Sequence, residues 1–158
     1  MHRTIHRLLL WLWRWLPLTP RMRYRLEWLL NAKYVVGVQA IVVDERGRVM
    51  LAHHTYRDAF AWGLPGGWIK LGEDPAVALV RELAEETGLT LANPRLLGVR
   101  SSRSRPSALT LVYAGRASGT FARSDEVDEV RWLEPHELPR DIASRYGHWV
   151  DEARATSS

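Results

Sequence analysis

The sequence predicts an α+β domain carried behind a helical arm, and three observations point to it. Runs rich in Val, Ile and Leu at residues 34–43, 48–52, 96–101 and 108–114 have the make-up of strands. Residues 75–87 place apolar side chains at helical spacing between an N-terminal and a C-terminal stop signal. Residues 1–33 differ from both, being rich in Leu, Trp and Arg. A chain of 158 residues, 46% hydrophobic and 25% charged, is long enough to bury one core. The expected division is a basic Trp/Leu-rich helical arm at 1–33, a single domain at 34–153 and a frayed C-terminus at 154–158.

The net charge of +4 hides a split. Residues 1–33 carry seven Lys/Arg against one acid, a net of +6, and the remainder fifteen against seventeen, a net of −2. The absence of cysteine excludes disulfides and thiolate metal sites and is compatible with a reducing compartment. In the arm, Trp11, Trp13 and Trp15 cluster within residues 5–16, and on a helix Arg3, Arg7 and Arg14 form one narrow stripe. Pro17 and Pro20 end that helix, and residues 21–31 form a second basic amphipathic helix with Tyr24, Leu26, Trp28 and Leu29. The apolar run is too short to cross a bilayer and Arg14 interrupts it. Residues 17–20 do not form a small-residue cleavage site. Two uses remain for the arm: packing, against its own domain or in a homodimer, or peripheral contact with a membrane surface. The expected location is cytoplasmic, with the arm able to reach a membrane. No nucleic-acid partner is expected, because the domain itself is slightly acidic.

Residues 34–43 and 48–52 should form a hairpin around the turn Asp44, Glu45, Arg46 and Gly47. His53 and His54 end its second strand and point to opposite faces, so they cannot share a metal. Solvated strand-end histidines are the ordinary reading, and a side chain reaching a substrate phosphate or base is the sharper one. Trp62 and Trp68 are expected as core or hinge aromatics. Gly63, Pro65, Gly66, Gly67 and Gly72 make a loop whose backbone can approach a ligand closely. The helix that follows begins with Asp74 as N-cap and Pro75 at its first position, and Gly88 ends it.

On that helix Ala76, Leu79, Val80 and Leu83 share the face that should bury. Glu82, Glu85 and Glu86, spaced i, i+3 and i+4, fall on a second face with Ala78 one turn earlier. Three neighbouring carboxylates repel, and a hard divalent cation would reverse that. Arg81 can hold one or two of them, with Glu73 orienting Arg81 in turn. A solvated acidic face is the usual meaning of such a run, but the surrounding residues change the weighting. Gly67, Glu73, Arg81, Glu82, Glu85, Glu86 and Gly88, with Leu83 and Leu89 as aliphatics, fill every defined position of the Nudix box. The chain therefore resembles the Nudix hydrolase (MutT-like) family over most of residues 34–153.

That resemblance implies an α/β/α sandwich, with a mixed β-sheet flanked by helices. It implies hydrolysis of a diphosphate linkage in a nucleoside diphosphate joined to another moiety, dependent on Mg²⁺ or Mn²⁺. Glu85 and Glu86 become metal ligands, Glu82 a ligand or base, and Gly67 a carbonyl donor. After the box, strands at 96–101 and 108–114 flank a loop whose Arg103 and Arg105 are candidate substrate contacts, as are Arg48 and His54. The acidic group Asp125, Glu126, Asp128 and Glu129 resembles the family's loop carboxylate, with Glu126 as further ligand or base and Glu129 as substitute. Trp132 is expected in the core, residues 135–138 in a turn and 139–153 in a closing helix. The substrate is not specified: Pro106 lies seventeen residues beyond Leu89, near but not at the ADP-ribose-type proline. Nucleotide-sugar, CDP-alcohol, ADP-ribose and NTP types stay open, with a nucleotide-binding sensor lacking turnover as the alternative.

Overall fold

A computed structural model describes residues 18–57, 61–102 and 107–156. The helix expected over 5–16, and Arg103, Arg105 and Pro106, lie outside them. The chain divides into two compact units, Met1–Lys33 and Tyr34–Ser158. In the first, α1 (Pro20–Leu30) starts on Thr19, whose Oγ1 accepts the Met22 N–H at 3.3 Å. Its end is closed by the Asn31 N–H donating to the Glu27 carbonyl at 3.0 Å and by Lys33, whose ammonium sits 4.7 Å from the Trp28 ring centroid. No residue of α1 is buried.

The second unit contains β1 (Val35–Val42), β2 (Val49–His54), β3 (Trp62–Gly63), α2 (Pro75–Thr87), β4 (Thr90–Ser102), β5 (Ala108–Ser118), β6 (Val127–Leu133) and α3 (Arg140–Ala155). A 3-10 turn, Pro135–Glu137, precedes α3. One sheet has the order β1-β5-β4, with β1 parallel and β4 antiparallel to β5. The other has the order β3-β2-β6 and is antiparallel.

Strand β1 shows why this is a sandwich. Val38, Ala40 and Val42 pack in a cluster with Leu79 and Leu83 of α2, whereas Ile41 packs with Ile142, Tyr146 and Val150 of α3. Alternate side chains point to opposite faces of a strand, and both faces here are covered by helix, so the run is apolar except at Gln39, whose Oε1 accepts the Tyr146 hydroxyl at 2.6 Å.

Three expectations change. β1 and β2 are not a paired hairpin: a single bridge, Val43 to Val49, joins them beyond the turn, and each belongs to a different sheet. The non-local partners β5 and β6 take the hydrogen bonds that a hairpin would have used. Strand β4 begins at Thr90 rather than 96, passing Asn93 (φ 49°) and Pro94 through a register shift. An edge strand tolerates such an irregularity because one side of its ladder is unpaired. Helix α3 continues to Ala155, with Ala153 fully buried, so fraying does not begin at 154.

Candidate active site

Helix α2 and the loop before it position the site. Asp74 Oδ1 accepts the N–H groups of Ala76 and Val77 at 2.8 and 3.3 Å, and Gly88 closes the helix in the left-handed conformation at φ 72°. Upstream, the glycine loop is laced along β1: Ala40 N–H donates to Pro65 O at 2.9 Å and Val38 N–H to Gly67 O at 2.9 Å. Contact this close leaves no room for side chains. A Cβ on Gly66 would fall 2.1 Å from the Val38 carbonyl oxygen, and one on Gly67 would fall 2.4 Å from the Glu82 carboxyl group. The missing side chain of Gly67 is thus the space that the Glu82 carboxylate occupies.

Arg81 organises the outer carboxylates. It grips Glu73 with two nitrogens at 2.7 and 2.9 Å, and its Nη1 donates to Glu82 at 2.7 Å and Glu85 at 2.9 Å. Hydrogen bonding from Arg81 holds the Glu73 carboxyl down at about 2, and the Arg81 proton is held more firmly than usual, chiefly by Glu73. A bidentate guanidinium suits this task better than a point charge.

Glu86 differs from its neighbours. It is only 3% exposed, and its Oε2 accepts the Gly66 N–H at 3.0 Å. Burial pushes its pKa up to about 7, reinforced by the charges of Glu82 and Glu126 and opposed by the Gly66 hydrogen bond and by Arg57. Glu126 reaches the same place from the loop before β6. Ser124 ties that loop to the end of α2: its hydroxyl donates to the Glu86 carbonyl at 2.9 Å and accepts from the N–H groups of Glu126 at 3.3 Å and Val127 at 3.0 Å. Thr55 anchors the loop from the other side, its N–H donating to Glu126 O at 2.9 Å and its hydroxyl to Asp125 O at 2.6 Å.

The result is an open cleft of about 830 Å³. Glu82, Glu85, Glu86 and Glu126 line it, and so do Gln39, Tyr56, Arg57, Trp68, Lys70 and Thr110. Hard oxygen donors meeting at a cleft fit a divalent cation such as Mg²⁺ or Mn²⁺, and the raised pKa of Glu86 marks a carboxylate short of counter-charge. Among the described residues no three acidic or histidine side chains already converge on one metal position, since Glu82 and Glu85 are turned to Arg81.

Glu73, Arg81, Glu82, Glu85, Glu86, Glu126 and Gly67 are therefore brought together. Arg48 is not: it pairs with Asp44 at 2.7 Å in the turn after β1 and does not line the cleft. His54 does not reach the cleft surface either, because its side chain is fully buried. Glu129 pairs with Arg131 at 2.7 Å opposite His53, away from the carboxylate group. Trp68 is 58% exposed at the cleft rather than in the core. Sequence reasoning missed Tyr56, Arg57, Thr55 and Ser124. Arg57 was visible as an isolated cation, but no spacing relates it to the box.

The NUDIX domain family model matches residues 33–153. The chain belongs to the Nudix family. It is 36% identical over 70% of its length to a MutT-like protein of Streptomyces ambofaciens, spanning 71% of that protein. A CMP-5'-(N-acetyl-N-hydroxy-3-aminopropyl)phosphonate hydrolase of Streptomyces rubellomurinus is 35% identical over 61% of this chain and 50% of its own length. Among solved structures, a MutT NUDIX hydrolase from Burkholderia pseudomallei superposes with TM-score 0.63 at 26% identity, covering 80% of this chain and 99% of that one. This Nudix protein is accordingly a pyrophosphohydrolase acting on nucleoside diphosphate derivatives, with the α+β fold of the family.

Proposed function

We propose that this Nudix hydrolase cuts the diphosphate linkage of a nucleoside diphosphate joined to another moiety, by attack of water on phosphorus. The observation that carries the reading is the shared cleft, in which Glu82, Glu85, Glu86 and Glu126 are gathered with the cations Arg57 and Lys70 and the aromatics Tyr56 and Trp68. Glu85 and Glu86, with Glu82 or Glu126, would hold Mg²⁺ or Mn²⁺, and Gly67 offers a backbone carbonyl. A divalent cation bound there neutralises phosphate charge and lowers the pKa of coordinated water. Arg81 keeps the carboxylates from splaying apart. Glu82 or Glu126 accepts the proton from the attacking water. Arg57 and Lys70 are placed to take phosphate oxygens, and Tyr56 and Trp68 are exposed aromatics suited to a base. Arg48, tied to Asp44, has no part in this arrangement.

Substrates in which a nucleoside phosphate is joined through a phosphorus anhydride to a small alcohol-like group, the CDP-alcohol type, are favoured over an NTP. The Streptomyces rubellomurinus relative, named as a hydrolase of a CMP phosphonate, supports that preference. The alternative, a nucleotide sensor without turnover, is disfavoured because no box carboxylate is missing. A panel of nucleotide-sugars, CDP-alcohols, ADP-ribose and NTPs with Mg²⁺ or Mn²⁺, scored for nucleoside monophosphate and phosphate, tests the reading alongside Glu86→Gln. Hydrolysis lost in the variant supports it; binding without turnover of any member supports the sensor.

We also propose that the arm touches an anionic membrane surface. Tyr24, Trp28, Leu29 and Leu30 are exposed beside Arg21, Arg23 and Arg25, and no helix among the described residues is long and apolar enough to cross a bilayer. Co-sedimentation of the full chain with vesicles containing phosphatidylserine, compared with neutral vesicles, tests it; equal partitioning to both would favour a subunit contact instead.

A further inference from the structure

The proposed chemistry leaves one buried polar group without a task. His54, the last residue of β2, is fully buried; neither ring nitrogen makes a hydrogen bond of good geometry, although the Leu64 backbone lies near enough to act on the ring. A buried N–H left unmade is costly, so such a group calls for an explanation. The register shifts between His53 and His54. His53 pairs outward with Asp128 at 2.6 Å, whereas His54 Nδ1 lies 3.8 Å from Glu86 Oε1.

The surroundings fit a ring placed for Glu86. The edge of the Tyr56 ring covers it at a centroid distance of 5.6 Å. Gly63 makes room for Arg57 and for the ring alike, since a Cβ there would stand 2.9 Å from Arg57 Nη1 and 3.3 Å from His54 Nε2. The Gly66 N–H already holds Oε2 of Glu86, so Oε1 is the oxygen still to be fixed.

We propose that His54 is a positioning residue: its Nδ1–H donates to Glu86 Oε1 and, with the Gly66 N–H on Oε2, fixes the plane of that carboxylate. Moving the ring or the carboxylate by about 1 Å brings the pair to hydrogen-bond distance. Both oxygens are then oriented by the protein, each keeping a free lone pair for a cation in the cleft. Outer partners of this kind typically change metal affinity or activity by about 10–100-fold when removed. The inference rests on the reading of Glu86 as a metal ligand and gives His54 a task other than contact with substrate.

The test uses the full chain and Mn²⁺ alone, its affinity read by electron paramagnetic resonance without substrate, together with kcat and KM. Asn can place its amide nitrogen where His places Nδ1, and Gln where His places Nε2. His54→Leu should weaken Mn²⁺ and lower kcat by about 10–100-fold with KM little changed; His54→Asn should restore most of both, and His54→Gln should not. Wild-type Mn²⁺ affinity in His54→Leu overturns the proposal. If the Leu variant does not fold, equal behaviour of the Asn and Gln variants overturns it. Glu86→Gln separates the two levels: if that variant also keeps full Mn²⁺ affinity, the ligand reading itself has failed.

Discussion

The burial of Glu86 has a thermodynamic consequence that can be measured without a substrate. In the metal-free protein its pKa rises from 4.5 to about 7, mainly through desolvation. An acid held more tightly protonated in the folded chain makes folding proton-linked. Between those two values the folded state keeps a proton that the unfolded chain has released, so stability falls as pH rises through the window and is level above it. At about 1.4 kcal/mol per tenfold change in proton affinity, the loss reaches about 3 kcal/mol. His54 acts in the opposite sense: burial depresses its pKa from 6.5 to about 4, so its contribution grows as pH climbs between those values. Both act in the wild type, but only His54 acts in Glu86→Gln, so the difference between the two proteins isolates Glu86.

Urea denaturation in EDTA at pH 5 and pH 8 reads this directly. Glu86→Gln, which can still accept the Gly66 N–H, should gain up to about 3 kcal/mol on the wild type between the two conditions. Excess Mg²⁺ should then reverse the order at pH 8, because a ligand that binds only the folded state stabilises it. A wild-type-minus-variant difference that stays constant from pH 5 to pH 8 refutes the account of Glu86 as a buried, charge-starved carboxylate.

Three further substitutions probe the parts around it. Gly67→Ala drives a Cβ to 2.4 Å from the Glu82 carboxyl group, the far end of a flexible side chain; the melting temperature should hold while kcat falls on the order of 10²-fold. Arg81→Lys cannot grip Glu73 with two nitrogens and also reach Glu82 and Glu85; activity should drop about 10–100-fold, read together with a weaker Mn²⁺ affinity. Ser124→Ala removes the hydroxyl that ties the Glu126 loop to α2; calorimetry should show a loss of about 1 kcal/mol, and the same variant should lower kcat more than it raises KM.

What could be read from the sequence is what local chemistry determines. Helix α2 announces itself through Asp74, Pro75 and Gly88, each acting within one turn of its end, and the box spacing then places Glu82, Glu85 and Glu86 together. Pairing between distant segments was not legible. Nothing near residues 34–52 says that β1 lies parallel to β5, more than seventy residues later, or that β2 joins β6 in a second sheet. Asn93 and Pro94 look like breakers, and only an edge position lets β4 run through them. The helical wheel put Glu86 on a polar face, yet the structure buries it, because the Gly66 N–H arrives from twenty residues upstream to receive it. Opposed orientations for His53 and His54 follow from any strand; which of the two would be buried beside Glu86 does not.

The site is tolerated because its negative charge is already divided among different counterweights. Glu73, Glu82 and Glu85 share Arg81, whose guanidinium touches all three within 2.9 Å. Glu86 has no such partner and, at neutral pH, is balanced in part by a proton of its own. A divalent cation therefore meets two kinds of carboxylate: one that must give up a proton and others that must loosen an arginine. The apolar contacts of Leu79 and Leu83, which hold α2 against β1, lie one turn from Glu82 and Glu86 on the adjoining face of the same helix. Charge and core therefore meet along one edge of a short helix, where Glu86 is buried beside Leu79 and Leu83, and the site relies on Arg81 and on that proton rather than on distance from the core.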